Sequence, residues 1–178
     1  MKWAAMLRGI NLGKRQLKSA ELKAVVEGMG FTEVKTILAS GNVVFEADDA
    51  EPEALERDLH AALEKATGLK SEVFVRNLAE LTELVGNNPF PDEARERPSF
   101  LVVSFHRDPV DQKAIDRLVA SYAGSERMVV IGRELFIDFP DGQGRSNLIP
   151  VMAKARLSQA NTGRNWNTVQ KLLAALAD

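Results

Sequence analysis

The sequence contains no cysteine and only two histidines among 178 residues. A disulfide framework, a thiol nucleophile and a thiolate metal site are excluded, and two imidazoles do not make a structural zinc centre. Aromatic residues are scarce at 6%, and Asn42–Glu46 lacks the pattern of an RNA-recognition strand, which needs solvent-facing aromatics on central strands. Long hydrophobic runs are also missing. The first apolar run, Trp3 to Leu7, is broken by Arg8 and is too short for a signal-peptide core. No stretch approaches the ~20 apolar residues of a spanning helix. These absences predict a soluble, cytoplasmic protein with no membrane partner. What is present is ordinary globular composition, 45% hydrophobic and 27% charged. At this length about 70% of the unfolded surface can be buried without staples.

Net charge is only −2, but it is unevenly placed. Residues 1–40 carry +4, residues 41–140 carry −9, and residues 141–178 carry +3, with no acid between Asp141 and Asp178. Two basic ends flank an acidic middle. Such ends suit an anion site built where they meet, although solvated faces with clustered charge give the same pattern. The acidic middle disfavours a long nucleic-acid groove, so any such contact would be short and salt-sensitive.

Short apolar runs alternate with helical periods. Trp3–Arg8 reads as a strand, and Ser19 with Leu22, Val25, Val26 and Met29 as a capped amphipathic helix closed by Gly28 and Gly30. Val34–Leu38 and Asn42–Glu46 read as hairpin strands around Ala39-Ser40-Gly41, Pro52–Ala66 as a helix, and Ser71–Arg76 as a strand. After a helix at Leu78–Val85, three prolines between Pro89 and Pro98 mark a connector. The pattern then recurs: strand Phe100–Phe105, helix Asp111–Tyr122, strands Arg127–Ile131 and Glu134–Phe139, helix Asn147–Leu157, an extended piece at Thr162–Arg164 and a helix Thr168–Ala177. Arg76-Asn77 and Arg164-Asn165 would each stand where a fourth strand turns into a trailing helix.

The expected fold is α/β, more narrowly α+β, with two tandem ferredoxin-like (β-α-β-β-α-β) halves packed into one compact unit. Residues 1–86 would form the first half with its trailing helix, 87–98 the Pro-rich connector, and 99–178 the second half with its C-terminal helix. Trp3–Leu7, Val43–Phe45 and Phe100–Val103 are apolar at consecutive positions, so both faces of those strands should be buried.

Chemistry concentrates in four loops. Arg8-Gly9-Ile10-Asn11-Leu12-Gly13-Lys14-Arg15 leaves the first strand with two glycines and three cations, a composition that lets backbone amides and positive charge face an anion. It matches neither the Walker A loop nor G-x-G-x-x-G. Topology should bring Ser40-Gly41-Asn42 beside it. In the second half, Gly142–Asn147 enters a helix with Ser146 as its cap and Arg145 beside it, and Arg164-Asn165-Trp166-Asn167 falls on the same sheet edge. Plain turns, solvated bases and a core tryptophan would account for the same residues. His106 with Ser104 and Asp108 lacks the long-range geometry of a triad, His60 reads as a surface residue, and Asp48, Asp49, Glu51 and Glu53 read as helix-terminus acids more readily than as Mg²⁺ ligands.

Taken together, Leu7–Gly13, Ser40–Phe45, Asn88-Pro89-Phe90, Gly144-Arg145-Ser146 and Arg164–Thr168 resemble the bacterial family called domain of unknown function 1697, over essentially the whole chain. The resemblance implies a compact α/β fold of duplicated ferredoxin-like units and small, stand-alone intracellular proteins; it implies no mechanism. The family loop often carries a second glycine where this chain has Gly13-Lys14, replacing flexibility with a cation.

The expectation is a protein that binds a phosphate-bearing small molecule, a nucleotide or a nucleic-acid end. Its site residues would be Arg8, Gly9, Asn11, Gly13, Lys14, Ser40, Asn42, Arg145, Ser146, Arg164, Asn165, Trp166 and Asn167, with no metal and no cofactor. An enzyme acting on a nucleotide or phosphorylated metabolite is the first alternative, though no general base or nucleophile accompanies these residues. A structural or interaction module, in which they only satisfy loop backbones, is the second.

Overall fold

The computed structural model describes residues 1–155, 157 and 160–178. The chain divides into two compact units: unit 1 is Met1–Gly86 with Gln170–Asp178, and unit 2 is Asn87–Val169.

Unit 1 runs β1 (Lys2–Leu7), α1 (Ser19–Gly28), β2 (Thr32–Thr36), β3 (Asn42–Glu46), α2 (Pro52–Thr67), β4 (Val73–Asn77) and α3 (Leu78–Gly86). Its four strands form an antiparallel sheet in the order β2-β3-β1-β4. The α2 helix shows why the sequence folds this way. Pro52 occupies its first turn, Leu55, Leu59 and Leu63 fall on one buried face, and Gly68 ends it at φ +75°. That face packs on Trp3, Ala5, Leu7, Val43, Phe45, Val73 and Val75, which are alternate residues of β1, β3 and β4. The other set, Ala4, Met6, Val44 and Phe74, is buried as well, as the consecutive apolar runs predict.

Unit 2 contains α4 (Pro91–Glu96), a 3-10 turn at Pro98–Phe100, β5 (Leu101–His106), α5 (Gln112–Ser121), β6 (Arg127–Ile131), β7 (Glu134–Asp138), a 3-10 turn at Gln143–Arg145, α6 (Leu148–Lys154) and β8 (Asn161–Asn165). The last helix, α7 (Trp166–Ala177), begins in unit 2 and contributes its later residues to unit 1. The second sheet has the order β6-β7-β5-β8 and is antiparallel. Its core joins Val102, Leu135, Ile137 and Phe139 to Ile115, Leu118, Leu148 and Met152. The described residues thus form a mixed α+β chain with two four-stranded antiparallel sheets and seven α-helices.

Several local expectations shift. Ser19 is the first residue of α1 and Lys18 its cap, without a side-chain bond. The β2 strand lies two residues earlier than expected because Leu38 turns into the left-handed region at φ +59° and starts the hairpin. The Pro-rich connector holds a helical turn: Pro91 suits the first position of α4, where its missing N–H costs nothing. Asn165 caps α7, which starts two residues sooner than the periodicity indicates. The α6 helix ends at Lys154; the expected helix to Leu157 crosses Arg156, which lies outside the described residues.

Candidate functional site

In unit 1 the predicted residues gather at the carboxyl end of β1. Leu7 N donates to Gly41 O at 2.8 Å and Arg8 N to Glu72 O at 2.9 Å, which ties the loop between the β2–β3 hairpin and the entry to β4. Asn11 is the bracket. Its Oδ1 accepts from Leu17 N at 2.9 Å, while its Nδ2 donates to Ala39 O. Ile10 and Leu17 are buried and anchor both ends of the loop. Between them, Arg15 N donates to Leu12 O and Asn11 N to Arg15 O, making a small hairpin with Gly13-Lys14 at its tip. Gly9, Asn11 and Gly13 all have φ near +60°, at 66°, 60° and 61°. Left-handed residues thus recur at every second position, while the Asn11 amide is spent on Arg15 O.

The polar inventory of this loop is split. Asn42 is fully buried and donates to Ile37 O at 2.9 Å and to Ser40 Oγ at 2.8 Å, so both residues hold the hairpin in shape. Arg8 lies 3.6 Å from the Glu72 carboxylate, and its carbonyl accepts from Ser71 Oγ at 2.8 Å. Arg15 donates to Lys70 O. Lys14 is exposed and forms no ion pair among the described residues, and the amides of Gly9, Gly13 and Lys14 donate to no described group. Glu72 and Ser71, which brace the loop, escape a reading of local motifs because they lie about sixty positions downstream.

The predicted residues of unit 2 share one sheet end: Asp138, where β7 ends, pairs with Leu101, and Asn165, where β8 ends, pairs with Val102. Most are engaged in structure. Arg164 is 7% exposed and its Nη1 donates to Thr162 Oγ1 at 2.7 Å and Gly163 O at 2.8 Å; burial lowers its pKa to about 10. Asn165 Oδ1 accepts from Thr168 N at 3.0 Å. Trp166 is a core residue tilted against Phe136 at 6.5 Å between centroids. Ser146 Oγ donates to Glu126 and accepts from Leu148 N, but Ser146 is not the expected cap of α6: it stands one residue before the cap position, which Asn147 holds without a side-chain bond. Burial pushes the Glu126 carboxyl up, but the Ser146 bond and further hydrogen bonds outweigh it and hold the group below its usual range. Arg145 and Asn167 remain exposed, and Arg145 has no ion pair among the described residues.

The same device recurs in unit 1. Arg76, 1% exposed, donates from Nη1 to Val75 O at 2.8 Å, and Asn77 Oδ1 accepts from Glu80 N at 2.9 Å while Glu80 Oε2 accepts from Asn77 N. A buried arginine turned onto the preceding carbonyl, then an asparagine cap, closes the fourth strand of each sheet.

Loop lengths separate the two units. From β1 to α1 the chain takes residues 8–18, whereas β5 to α5 takes only 107–111; β3 to α2 takes 47–51, whereas β7 to α6 takes 139–147. Each unit therefore has one lengthened loop, and these contain the Gly/Arg segments read from the sequence.

The histidines are both bonded. His60 is half-buried, not a free surface residue: Nδ1 lies 2.7 Å from Ser71 O and so carries the hydrogen. His106 Nε2 lies 3.1 Å from Ser104 Oγ, which donates to Asn161 Oδ1 at 3.0 Å. With the serine hydrogen so directed, Nε2 must donate to Ser104, the reverse of a base activating a nucleophile. No cluster of three His, Cys, Asp or Glu that could hold a metal occurs among the described residues. Nor is any described helix long and apolar enough to cross a membrane.

Residues 1–136 match the family described as protein of unknown function, DUF1697. The chain belongs to that family. Among solved structures, the DUF1697 chain is similar to the conserved bacterial protein SP0830 from Streptococcus pneumoniae, with a TM-score of 0.76, 19% identity and 98% of each chain covered. At that identity the likeness is one of fold. No curated protein matches it.

Proposed function

We propose that this DUF1697 protein binds a phosphate-bearing small molecule or nucleic-acid end, with the Gly9–Arg15 loop of unit 1 as its principal contact. The observation that carries the reading is the lengthened loop itself. It contains left-handed residues, amides at Gly9, Gly13 and Lys14 that donate to no group among the described residues, and the Lys14 ammonium, without an ion pair among them. Arg8, bridged to Glu72, would supply a second cation, and Arg145 with Asn167 would be the exposed contacts in unit 2. Asn11, Ser40, Asn42, Arg164, Asn165, Trp166 and Ser146 would act on the ligand only by holding these loops in place.

The tandem ferredoxin-like arrangement belongs to the same proposal. It is supported by the matching element orders, the matching strand orders and the repeated arginine-and-asparagine device. Cytoplasmic location is likewise an inference, resting on composition and the absence of cysteine.

Thermal denaturation against inorganic phosphate, nucleotides and short oligonucleotides tests the binding reading. A ligand at about 100 times its dissociation constant adds about 2.7 kcal/mol of stability, and Lys14→Ala should remove that gain without lowering the melting temperature of the free protein. An unchanged gain in the variant places the ligand elsewhere, and no gain with any phosphate compound refutes the proposal.

A further inference from the structure

Beside the candidate anion loop, two large apolar side chains face solvent. Leu12 is 69% exposed and Leu38 is 47% exposed. They share one neighbourhood: Leu12 follows Asn11 and Leu38 precedes Ala39, and Asn11 Nδ2 donates to Ala39 O. Neither exposure follows from a shortage of interior. The same loop buries Ile10 and Leu17, and the hairpin buries Val43. Leu12 stands outside because it sits on an arm of the small hairpin, between Asn11 and Gly13 in the left-handed region, and Leu38 itself takes φ +59°. A γ-branched residue at the left-handed φ of Leu38 is disfavoured, and the loop holds it there.

The loop itself is basic. Residues 8–18 include Arg8, Lys14, Arg15 and Lys18 and no acid, and Arg8 is bridged to Glu72 from the entry to β4. A protruding apolar pair inside a basic loop presents the two features that hold a protein to the interface of an anionic bilayer: side chains that enter the acyl boundary and cations that meet phosphate headgroups. A free phosphate metabolite would use the cations and leave both leucines wet.

We propose that the Leu12/Leu38 edge of unit 1 docks on anionic lipid membranes, with Lys14 and Arg8 meeting headgroup phosphates and the two leucines entering the interface. This deepens, and rests on, the reading of the Gly9–Arg15 loop as the phosphate contact. It goes against the expectation of no membrane partner, which was drawn from hydropathy runs; these detect spanning segments and are blind to single leucines exposed on a loop and a hairpin.

The test is co-sedimentation of the full chain with phosphatidylcholine vesicles, with and without phosphatidylglycerol, beside thermal shift with inorganic phosphate. Binding should require phosphatidylglycerol and fall as salt rises. Lys14→Gln should weaken it about fivefold, and Leu12→Ala or Leu38→Ala on the order of tenfold. The leucine variants should leave the phosphate shift unchanged, which also shows that they are folded. A phosphate shift lost in Lys14→Gln, without vesicle binding or with binding indifferent to both leucines, overturns the membrane proposal and leaves the phosphate reading standing. Loss of both signals in the wild-type chain overturns both. Tighter binding to a short RNA, insensitive to Leu12 and Leu38, overturns the membrane proposal in favour of nucleic acid.

Discussion

Arg164 and Lys14 are both cations in Gly/Asn-rich segments, and their surroundings give them different work. Burial takes Arg164 to about 10, below its value in an unfolded chain, so its charge opposes folding at all lower pH and that opposition lifts only as pH rises above about 10. Thr162 Oγ1 and Gly163 O offset the cost. Arg164→Ala should therefore lower stability by about 1–3 kcal/mol in urea, through lost packing and unmet acceptors, whereas Lys14→Ala should stay within about 0.5 kcal/mol. Asp138 is the opposite case. Burial pushes its carboxyl up, but hydrogen bonds from Arg97, at 3.1 and 2.8 Å, and then from Arg127 outweigh that and hold it below its usual range. A carboxyl lowered in the folded state contributes stability that is present at neutral pH and lost as pH falls below the ordinary carboxylate range through the lowered value. Asp138→Ala should cost about 1–3 kcal/mol at neutral pH, since both arginines it leaves reach solvent, and denaturation curves in acid should show wild type converging on the variant.

At the scale of elements, capping and turn geometry decide where segments begin. Asn77 and Asn165 each satisfy an amide in the first turn of the following helix, so replacing either by Ala should cost about 1 kcal/mol in equilibrium unfolding. Gly41 and Gly13 separate conformation from space. Both have positive φ, but a Cβ on Gly41 would stand 3.1 Å from the Cβ atoms of Leu7 and Ile10, while one on Gly13 meets nothing within 4 Å. Gly13→Ala should cost only the left-handed penalty of about 1–2 kcal/mol. Gly41→Ala should cost more and loosen the contact between hairpin and loop, read as a larger fall in melting temperature. Arg76-Asn77 and Arg164-Asn165 were legible in the sequence as an echo at a strand-to-helix turn. That both arginines are buried was not legible, because burial of a long cation depends on what the sheet places around it.

At the scale of the whole chain, unit 1 is discontinuous: its last nine residues, Gln170–Asp178, come from the other end of the sequence. Leu172 and Leu176 are buried there. Leu176→Ala should cost about 2–5 kcal/mol, and limited proteolysis should then show earlier cleavage within residues 1–86. Local periodicity reads α7 as one amphipathic helix and carries no signal for where its later half belongs.

The order of strands and helices apart from α4, the buried double face of β1 and the position of the Gly/Arg loops were determined by sequence alone, because periodicity, turn residues and apolar runs act over a few neighbouring positions. Tertiary structure decided which of the marked residues are exposed and which are buried in the fold. Asn42, Arg164 and Trp166 went inward and Lys14, Arg145 and Asn167 outward, since a side chain's exposure is set by partners distant in sequence, such as Glu72 for Arg8 and Ala39 for Asn11. The bond from Asn11 to Ala39, next to the exposed Leu12 and Leu38, arose in the same way, from a loop and a hairpin that meet only once the sheet has formed.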